Sequence, residues 1–335
     1  MADHRDTLML PFEKGLLGWP QPGQDWAVLN ADVLPDGGQD NVCNLRQSLS
    51  CEQGFRPQYL ALKAAGFRVS PGLDNLNNLH GCLVLASRSR LVNERNMQRA
   101  WNALSDGGHV VFAGDKKSGA QAIRKWIAGR TEVAGSLSKH HAIVFWANRH
   151  GGDWPMEEPV AESAGYRISP GMFSADGPDP GSQMLAQHFD NRLSGRVADF
   201  GAGWGYLASQ LQKNCLRIER LELYEADWAS LEAAKLNVGE KAACHWVDLT
   251  AEAPRGPFDW IVMNPPFHEG RAAMPELGLG FIKAAARALP AGGRLLMVAN
   301  TRLPYENTLQ ELFRKVEIRA SSSGFKVVEA VKGSR

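Results

Sequence analysis

Asn264-Pro265-Pro266-Phe267 follows directly on the apolar run Phe258-Asp259-Trp260-Ile261-Val262-Met263. That order of residue types makes a seat for a flat ligand that carries an amine. The Asn amide offers one carbonyl acceptor and one NH2 donor. Each proline fixes its own φ and lacks an N–H, which leaves the preceding carbonyls free to face a ligand. Phe267 supplies a face on which an aromatic ring can stack. Taken alone, the four residues read equally well as a turn that ends a strand.

A second constellation lies upstream. Arg196-Val197-Ala198-Asp199-Phe200 reads as a strand leading into Gly201-Ala202-Gly203-Trp204-Gly205, with a helical pattern from Tyr206 to Leu211. Glycines permit the tight turn and let a ligand lie against bare backbone. Asp199, at the strand's end, can accept a hydrogen bond from an ammonium or an amide. Dinucleotide and phosphate sites use related loops, so the loop alone is not decisive. About twenty residues on, the strand Arg220-Leu221-Glu222-Leu223-Tyr224 ends in Glu225, an acid placed to take both hydroxyls of a ribose. No Gly-Lys-Ser/Thr follows, which excludes a P-loop. Cys244-His245-Trp246-Val247 then ends in Asp248, which either binds an adenine amino group or caps the next helix. These groups, with Asn264 on a fourth strand, fall at one carboxyl edge of a parallel sheet, where open α/β folds bind ligands.

The elements that must position them form two halves. Ala103 to Gly114 echoes Ala288 to Asn300: in each, a helical segment ends at a Gly pair (Gly107-Gly108, Gly292-Gly293) and an apolar strand follows. Lys139-His140-His141-Ala142-Ile143-Val144-Phe145 likewise takes the place of Gly324 to Ala330 as a closing strand. The expected fold is therefore α/β, a tandem repeat of one unit with a mostly parallel sheet. Residues 1–150 form the first domain, the acidic, proline-bearing 151–168 a linker, and 169–335 the second domain. After the strand Trp26-Ala27-Val28-Leu29-Asn30 the first half has no glycine loop, so its cofactor site is expected to be degenerate.

Composition sets the bounds. A chain of 335 residues with 44% hydrophobic and 22% charged residues suits two globular domains. A formal net charge of +1 gives no global signature of nucleic-acid binding, so any such site must be a local patch. The five scattered cysteines read as reduced thiols. With no stretch of membrane-span length and no signal-like start, the expected location is the cytoplasm.

At this point the chain resembles the class I S-adenosylmethionine-dependent methyltransferases. Within them it is similar to the ribosomal RNA guanine-N2 methyltransferases built from two methyltransferase-like domains, the small-subunit (16S) enzyme being the closer match. The residues that carry this are 199–205, Glu225, Asn264-Pro265-Pro266-Phe267-His268 and the upstream segment 170–183, with its Pro-Gly-x-Phe and Asp-x-Gly-Ser-Gln; Phe325-Lys326-Val327 also matches the family's closing strand. The resemblance implies S-adenosyl-L-methionine as cofactor, held by Phe173, Gly181, Gln183, Asp199, Gly201, Ala202, Gly203, Gly205, Glu225, Asp248 and Asn264. It implies methyl transfer to the exocyclic N2 of a guanine in 16S ribosomal RNA, with Asn264, Pro265, Pro266 and Phe267 as the catalytic corner. A large-subunit (23S) guanine or another planar amine such as adenine N6 remains open at this stage. Trp204 departs from the family, whose loop has a smaller residue there; its side chain must point away from the cofactor or cover it.

In this reading Asn264 and the Pro265 carbonyl accept the two amine hydrogens and Phe267 stacks on the base. His268 is either a late proton acceptor or a structural residue of the loop. The RNA contacts are assigned to His268, Lys326, Lys116 and Lys117, with Arg88, Arg90, Arg124, Lys125, Arg130, Lys139, Arg271 and Arg302 as further cations. Solvated helix faces are the plain alternative for these charges. The partner expected is ribosomal RNA in the 30S subunit or an assembly intermediate, with no membrane, no metal and no need for an oligomer.

Overall fold

The computed structural model describes residues 3–34, 48–156, 161–163, 165–266, 268–269, 272–273 and 275–334. The chain divides into two compact units, Met1–Pro159 and Val160–Arg335.

The first unit begins with helix α1 (His4–Glu13) and contains a seven-stranded sheet. Its strands are β1 (Trp26–Leu29), β2 (Leu49–Glu52), β3 (Arg68–Ser70), β4 (Leu79–Leu85), β5 (Leu104–Asp115), β6 (Gly135–Lys139) and β7 (Ala142–Asn148), in the order β3-β2-β1-β4-β5-β7-β6. The central strands are continuous apolar runs because both of their faces are covered, here by helices that include α2 (Arg56–Ala64), α3 (Arg90–Ala103) and α4 (Ala120–Ala128). β3-β2-β1-β4-β5 run parallel, and β7 and β6 return antiparallel.

The second unit opens with a hairpin, β8 (Ala161–Ser163) and β9 (Tyr166–Ile168). Its sheet is built from β10 (Ser194–Phe200), β11 (Arg217–Glu225), β12 (Ala242–Trp246), β13 (Trp260–Met263), β16 (Arg294–Asn300), β17 (Lys315–Ser322) and β18 (Phe325–Val331). A two-residue pair, β14 (His268–Glu269) with β15 (Ala272–Ala273), stands apart from it. The order β12-β11-β10-β13-β16-β18-β17 repeats the first sheet strand for strand. The two halves are therefore the same α/β fold in tandem.

Alternation along β10 sorts the second core into two layers. Ala198 and Phe200 face the side of α8 (Pro275–Ala288) and α9 (Glu306–Leu312), where Phe281, Ile282 and Leu309 pack. Val197 and Asp199 face the other side, covered by α5 (Pro180–Ala186), α6 (Tyr206–Asn214) and α7 (Trp228–Val238), with Leu185, Leu207 and Ala234. A buried acid inside β11 is tolerated because it is saturated. Glu222 accepts from Arg196 Nε at 2.7 Å and Tyr224 Oη at 3.1 Å, and lies 2.8 Å from Arg220 Nε and 3.0 Å from His245 Nε2.

The stretch 151–168, a linker by composition, thus holds a paired hairpin. Tyr166 and Ile168 are buried against Trp204, and the Tyr166 hydroxyl lies 2.9 Å from both Ser209 Oγ and Gln210 Nε2. An apolar-polar-apolar alternation of three residues is too short to stand out beside acidic and proline-bearing neighbours. Among the described residues no helix is long and apolar enough to cross a membrane.

Candidate active site

Asp199, the glycine loop, Glu225, Asp248 and Asn264 sit at or just beyond the carboxyl ends of adjacent parallel strands β10, β11, β12 and β13. The loop folds over the strand ends through Gly201 N and Ala202 N, which donate to the Tyr224 carbonyl at 2.8 and 3.1 Å, and it enters α6 at Gly205. Gly201, Gly203 and Gly205 all have positive φ, at 74°, 54° and 90°. A methyl group on Gly201 would come within 3.1 Å of Phe281, and one on Gly205 within 3.2 Å of Ala234. One on Gly203 would meet nothing within 4 Å. The outer glycines are therefore set by packing and backbone, and the middle one leaves bare backbone facing open space.

Three acids lie at the same edge of the sheet. Asp199 is fully buried, and among the described residues neither carboxyl oxygen has a well-formed hydrogen bond, the backbone of Ala208 giving only a minor stabilisation of its charge. Burial, with the nearby Glu225 charge adding to it, pushes Asp199 up to about 8. Glu225 accepts from Ala226 N, Asp227 N and Gly203 N, each at 2.8 Å, so it holds the loop to the second strand. Loss of solvent around its carboxyl outweighs those donors and pushes it up to about 7, although part of its surface stays open to the edge. Two acids held above the usual carboxylate range, one of them orphaned, suit a cationic ligand. Of the two readings open for Asp248, the helix cap requires correction: no helix follows it among the described residues, and its Oδ1 instead closes a turn, accepting from Thr250 N at 2.9 Å and Thr250 Oγ1 at 2.6 Å.

Asn264 is held by groups 85 and 82 residues upstream. Its Nδ2 donates to Asp179 Oδ2 at 2.9 Å and to Ser182 Oγ at 2.8 Å. A carboxylate only accepts, so the NH2 side of the amide must face Asp179 and the carbonyl oxygen faces away from it. The same Asp179 oxygen accepts from Ser182 N at 2.9 Å and caps α5. Gly181 permits this closeness, since a methyl group there would lie 3.0 Å from both Asp179 Oδ2 and the Phe325 ring. Sequence reasoning overlooked Asp179 and Ser182 as partners of Asn264; their only local signal is Asp-Pro-Gly-Ser, an N-cap followed by a proline at the first helical position. Pro265 is buried and Pro266 exposed, whereas Phe267 and Arg271 lie outside the described residues. His268 pairs through its backbone with Ala273, and its side chain is likewise outside the description.

Trp204 points away from the loop's open face. It is 4% exposed, packs with Tyr166 and Ile168, and donates from Nε1 to the Phe173 carbonyl at 3.0 Å. The bulky residue in the loop thereby ties segment 170–175 to the hairpin, while the Phe173 side chain is 61% exposed. Truncation by Trp204→Ala is expected to cost about 3–5 kcal/mol in the second unit's unfolding, read from its denaturant transition, and to weaken cofactor binding by loosening residues 170–175. Gln183 is exposed and donates to the Pro178 carbonyl at 2.7 Å, closing the turn before α5.

Lys326 requires correction as an RNA contact. It is 4% exposed, and its ammonium donates to the Leu303 carbonyl at 3.2 Å and pairs with Glu306. It anchors the loop after β16 from within, because its neighbours on β18 are enclosed on both faces. Arg302, on that loop, is exposed. In the first unit Lys116 and Lys117 are exposed on a 3-10 turn after β5, and Arg124 and Lys125 are exposed on α4. Arg130 stacks 3.8 Å over Trp126, and Lys139 is exposed beside the β6–β7 turn. The first unit's own cofactor position is filled from inside. Glu52, at the tip of β2 as Glu225 is at the tip of β11, takes two bonds from Arg99 at 2.7 and 2.6 Å and one from Leu73 N at 2.7 Å. Gln53 Nε2 donates to the Ala31 carbonyl.

A cleft of about 840 Å³ also opens in the second unit, lined by residues such as Ser194, Arg217, Asp259 and Arg294. It lies at the amino ends of the strands, opposite the acids and Asn264, where this fold does not bind its ligands.

Fold and site together define a class I, S-adenosylmethionine-dependent methyltransferase. Residues 165–329 match the methyltransferase small domain. Ribosomal RNA small subunit methyltransferase C of Pectobacterium atrosepticum is 33% identical over 236 residues, spanning 68% of this chain and 67% of the relative. The chain belongs to the ribosomal RNA small subunit methyltransferase C family. The Idiomarina loihiensis relative of that name is 28% identical over 328 residues, 92% of this chain and 96% of its own. The solved T. thermophilus 16S rRNA N2 G1207 methyltransferase, in complex with AdoMet and guanosine, has a TM-score of 0.80 at 24% identity and covers 98% of this chain and 91% of that one. That likeness shows the shared fold across both halves. The large-subunit and adenine readings are set aside by the family.

Proposed function

We propose that the protein transfers a methyl group from S-adenosylmethionine to the exocyclic N2 of a guanine in 16S ribosomal RNA, with the 30S subunit or an assembly intermediate as the form it meets. The observation that carries this reading is the clamped Asn264 beside an orphaned acid and an open glycine loop. When bound, S-adenosylmethionine supplies a methyl group already activated on a sulfonium. Asp199 takes the cofactor's ammonium, Glu225 its ribose hydroxyls, and Asp248, through its second oxygen, the adenine amino group. Gly201, Ala202, Gly203 and Gly205 form the backbone surface beneath it, and Phe173, Gly181 and Gln183 belong to the segment that closes over its methionine end.

The guanine N2 lone pair is delocalised into the ring, so positioning and electrostatics must do most of the catalysis. Asn264 Oδ1 and the Pro265 carbonyl accept the two amine hydrogens, and both gain strength as N2 acquires positive charge. Pro266 stiffens the corner, Phe267 stacks on the extruded base, and the proton leaves N2 after transfer, with His268 nearby in sequence to receive it. Lys116 and Lys117 place the first unit against RNA phosphates.

Asp179 is assigned as the residue that positions Asn264. Asp179→Ala is expected to lower kcat about a hundredfold with little change in KM for RNA, the scale of a misplacement near 1 Å. Asp179→Asn keeps a cap and an acceptor and should recover part of that loss. Single-turnover methylation of 16S RNA by the two variants checks this, and equal rates for wild type and Asp179→Ala would remove the assignment. The function itself is tested by mapping methylated guanines in 16S RNA after incubation with the protein and labelled S-adenosylmethionine. Label on any atom other than a guanine N2 overturns it.

A further inference from the structure

Because the two units share one strand order, each place at the carboxyl edge of the first sheet has a counterpart in the second. The cofactor half of that edge is closed in the first unit by the Glu52–Arg99 pair and Gln53. The acceptor half is not. Where β13 runs into the Asn264 corner, β4 runs into residues 86–89, and between this loop and the turn after β5 opens a cleft of about 440 Å³. Arg88, Arg90 and Lys117 line it, with Asn93 and Gly119; among the described residues none of those lining it is acidic, although Glu94 is paired with Arg90 beside it.

The cleft is built rather than incidental. Asn93 is 1% exposed; its Oδ1 accepts from Ser87 N at 2.7 Å and its Nδ2 donates to the Ser87 carbonyl at 2.9 Å. Ser87 Oγ in turn donates to the Ser89 carbonyl at 3.1 Å. These bonds stiffen the corner that prolines stiffen in the second unit. They fix the base of Arg88, while Arg90 Nε donates to Glu94 at 2.7 Å and keeps its guanidinium at the rim. The chemistry is inverted relative to the second unit: an amide acceptor for an amine is replaced by three cations, Arg88 on the loop after β4, Arg90 at the start of α3 and Lys117 on the turn after β5. Such a lining favours an anion.

We propose that this cleft seats a phosphodiester of the RNA backbone, so that the first unit grips the same ribosomal RNA whose guanine the second unit modifies. The proposal rests on the ribosomal RNA reading above. RNA is favoured over a free anion because the cleft lies within the small-ligand size range of roughly 300–1,000 Å³ yet offers cations on both sides of an open mouth, which suits a passing chain. Lys116 and Lys117 stand on the turn that forms one of those sides.

The test uses the full chain and 16S ribosomal RNA transcribed in vitro, with binding followed as a function of salt. Arg88→Gln/Lys117→Gln is expected to weaken binding about tenfold near physiological salt and to reduce the slope of log K against log salt by about 1–2, as loss of one or two phosphate contacts requires. Affinity for S-adenosylmethionine should not change. Lys63→Gln, an exposed cation on α2, serves as the control. An unchanged slope in the double variant overturns the proposal, and so does an equal loss in the control, which would mean only diffuse attraction. Inorganic phosphate that binds the cleft tightly while RNA affinity stays the same in the variant overturns it in favour of a free anion. The readout does not depend on methylation. A wild-type protein that binds 16S RNA without methylating it sinks the functional reading and leaves the cleft to be judged by its slope.

Discussion

Asn264→Ala is expected to lower kcat about a thousandfold, close to 4 kcal/mol of transition-state stabilisation, while affinity for S-adenosylmethionine stays within about twofold. The size follows from geometry. Both amide hydrogens of Asn264 are engaged, by Asp179 at 2.9 Å and Ser182 at 2.8 Å, so its carbonyl oxygen is fixed before any substrate arrives. A preorganised acceptor costs no rearrangement when N2 becomes positive, and the gain is largest at the transition state. Removing it leaves α5 capped, because Asp179 still accepts from Ser182 N, and leaves the glycine loop and its acids untouched. KM for RNA should therefore move far less than kcat, which separates an interaction of the transition state from ordinary binding. Single-turnover rates at saturating RNA, with cofactor affinity measured by calorimetry, check both halves. Turnover near wild type would end Asn264's part in the chemistry.

What could be read from the chain alone was whatever is local. β10 and β13 are apolar runs whose ends carry the chemistry, and the paired glycines disclosed the repeat because each follows a helix and leads into an apolar stretch close in sequence: Gly292-Gly293 precedes β16, while Gly107-Gly108 falls within the irregular start of β5. Glu225 was legible from its spacing to the loop. The misses are long-range. Nothing near Lys326 indicates that its ammonium turns inward to Leu303 and Glu306, about twenty residues earlier. The Asn264–Asp179 clamp spans 85 residues and the Glu52–Arg99 pair spans 47. The direction of Trp204 was undetermined until the hairpin that receives it was in place, and that hairpin lies in a stretch whose composition suggested a linker. Side-chain partnership across a sheet edge is a property of topology, and it becomes visible only once the strand order is known.

The second large effect is on the cofactor and is set by proton linkage. Burial holds Asp199 near 8, with Glu225 adding to the shift, and burial holds Glu225 near 7. Asp199 is thus largely protonated in the free protein at neutral pH, and an ammonium placed against it favours the carboxylate. Binding must then release protons. Affinity for S-adenosylmethionine is expected to tighten by up to about tenfold per pH unit for each proton released. The rise should run from pH 6 to about 7.5 and level near 8, where an α-ammonium of ordinary pKa begins to lose its own proton. Stability of the free protein has the opposite sign. A carboxyl whose folded pKa lies above its unfolded value of 3.8 binds its proton more tightly when folded, so its contribution falls as pH climbs from about 4 to about 8. The thermal shift produced by the cofactor should therefore grow with pH across this window. Asp199→Asn removes the charge that meets the ammonium, and is expected to weaken binding about a hundredfold at pH 7.5 and to flatten most of the pH dependence, leaving the smaller Glu225 contribution. Calorimetric titrations in buffers of different ionisation enthalpy count the protons directly. A dissociation constant that does not change between pH 6 and 7.5 in the wild-type protein would remove Asp199 from the ammonium site.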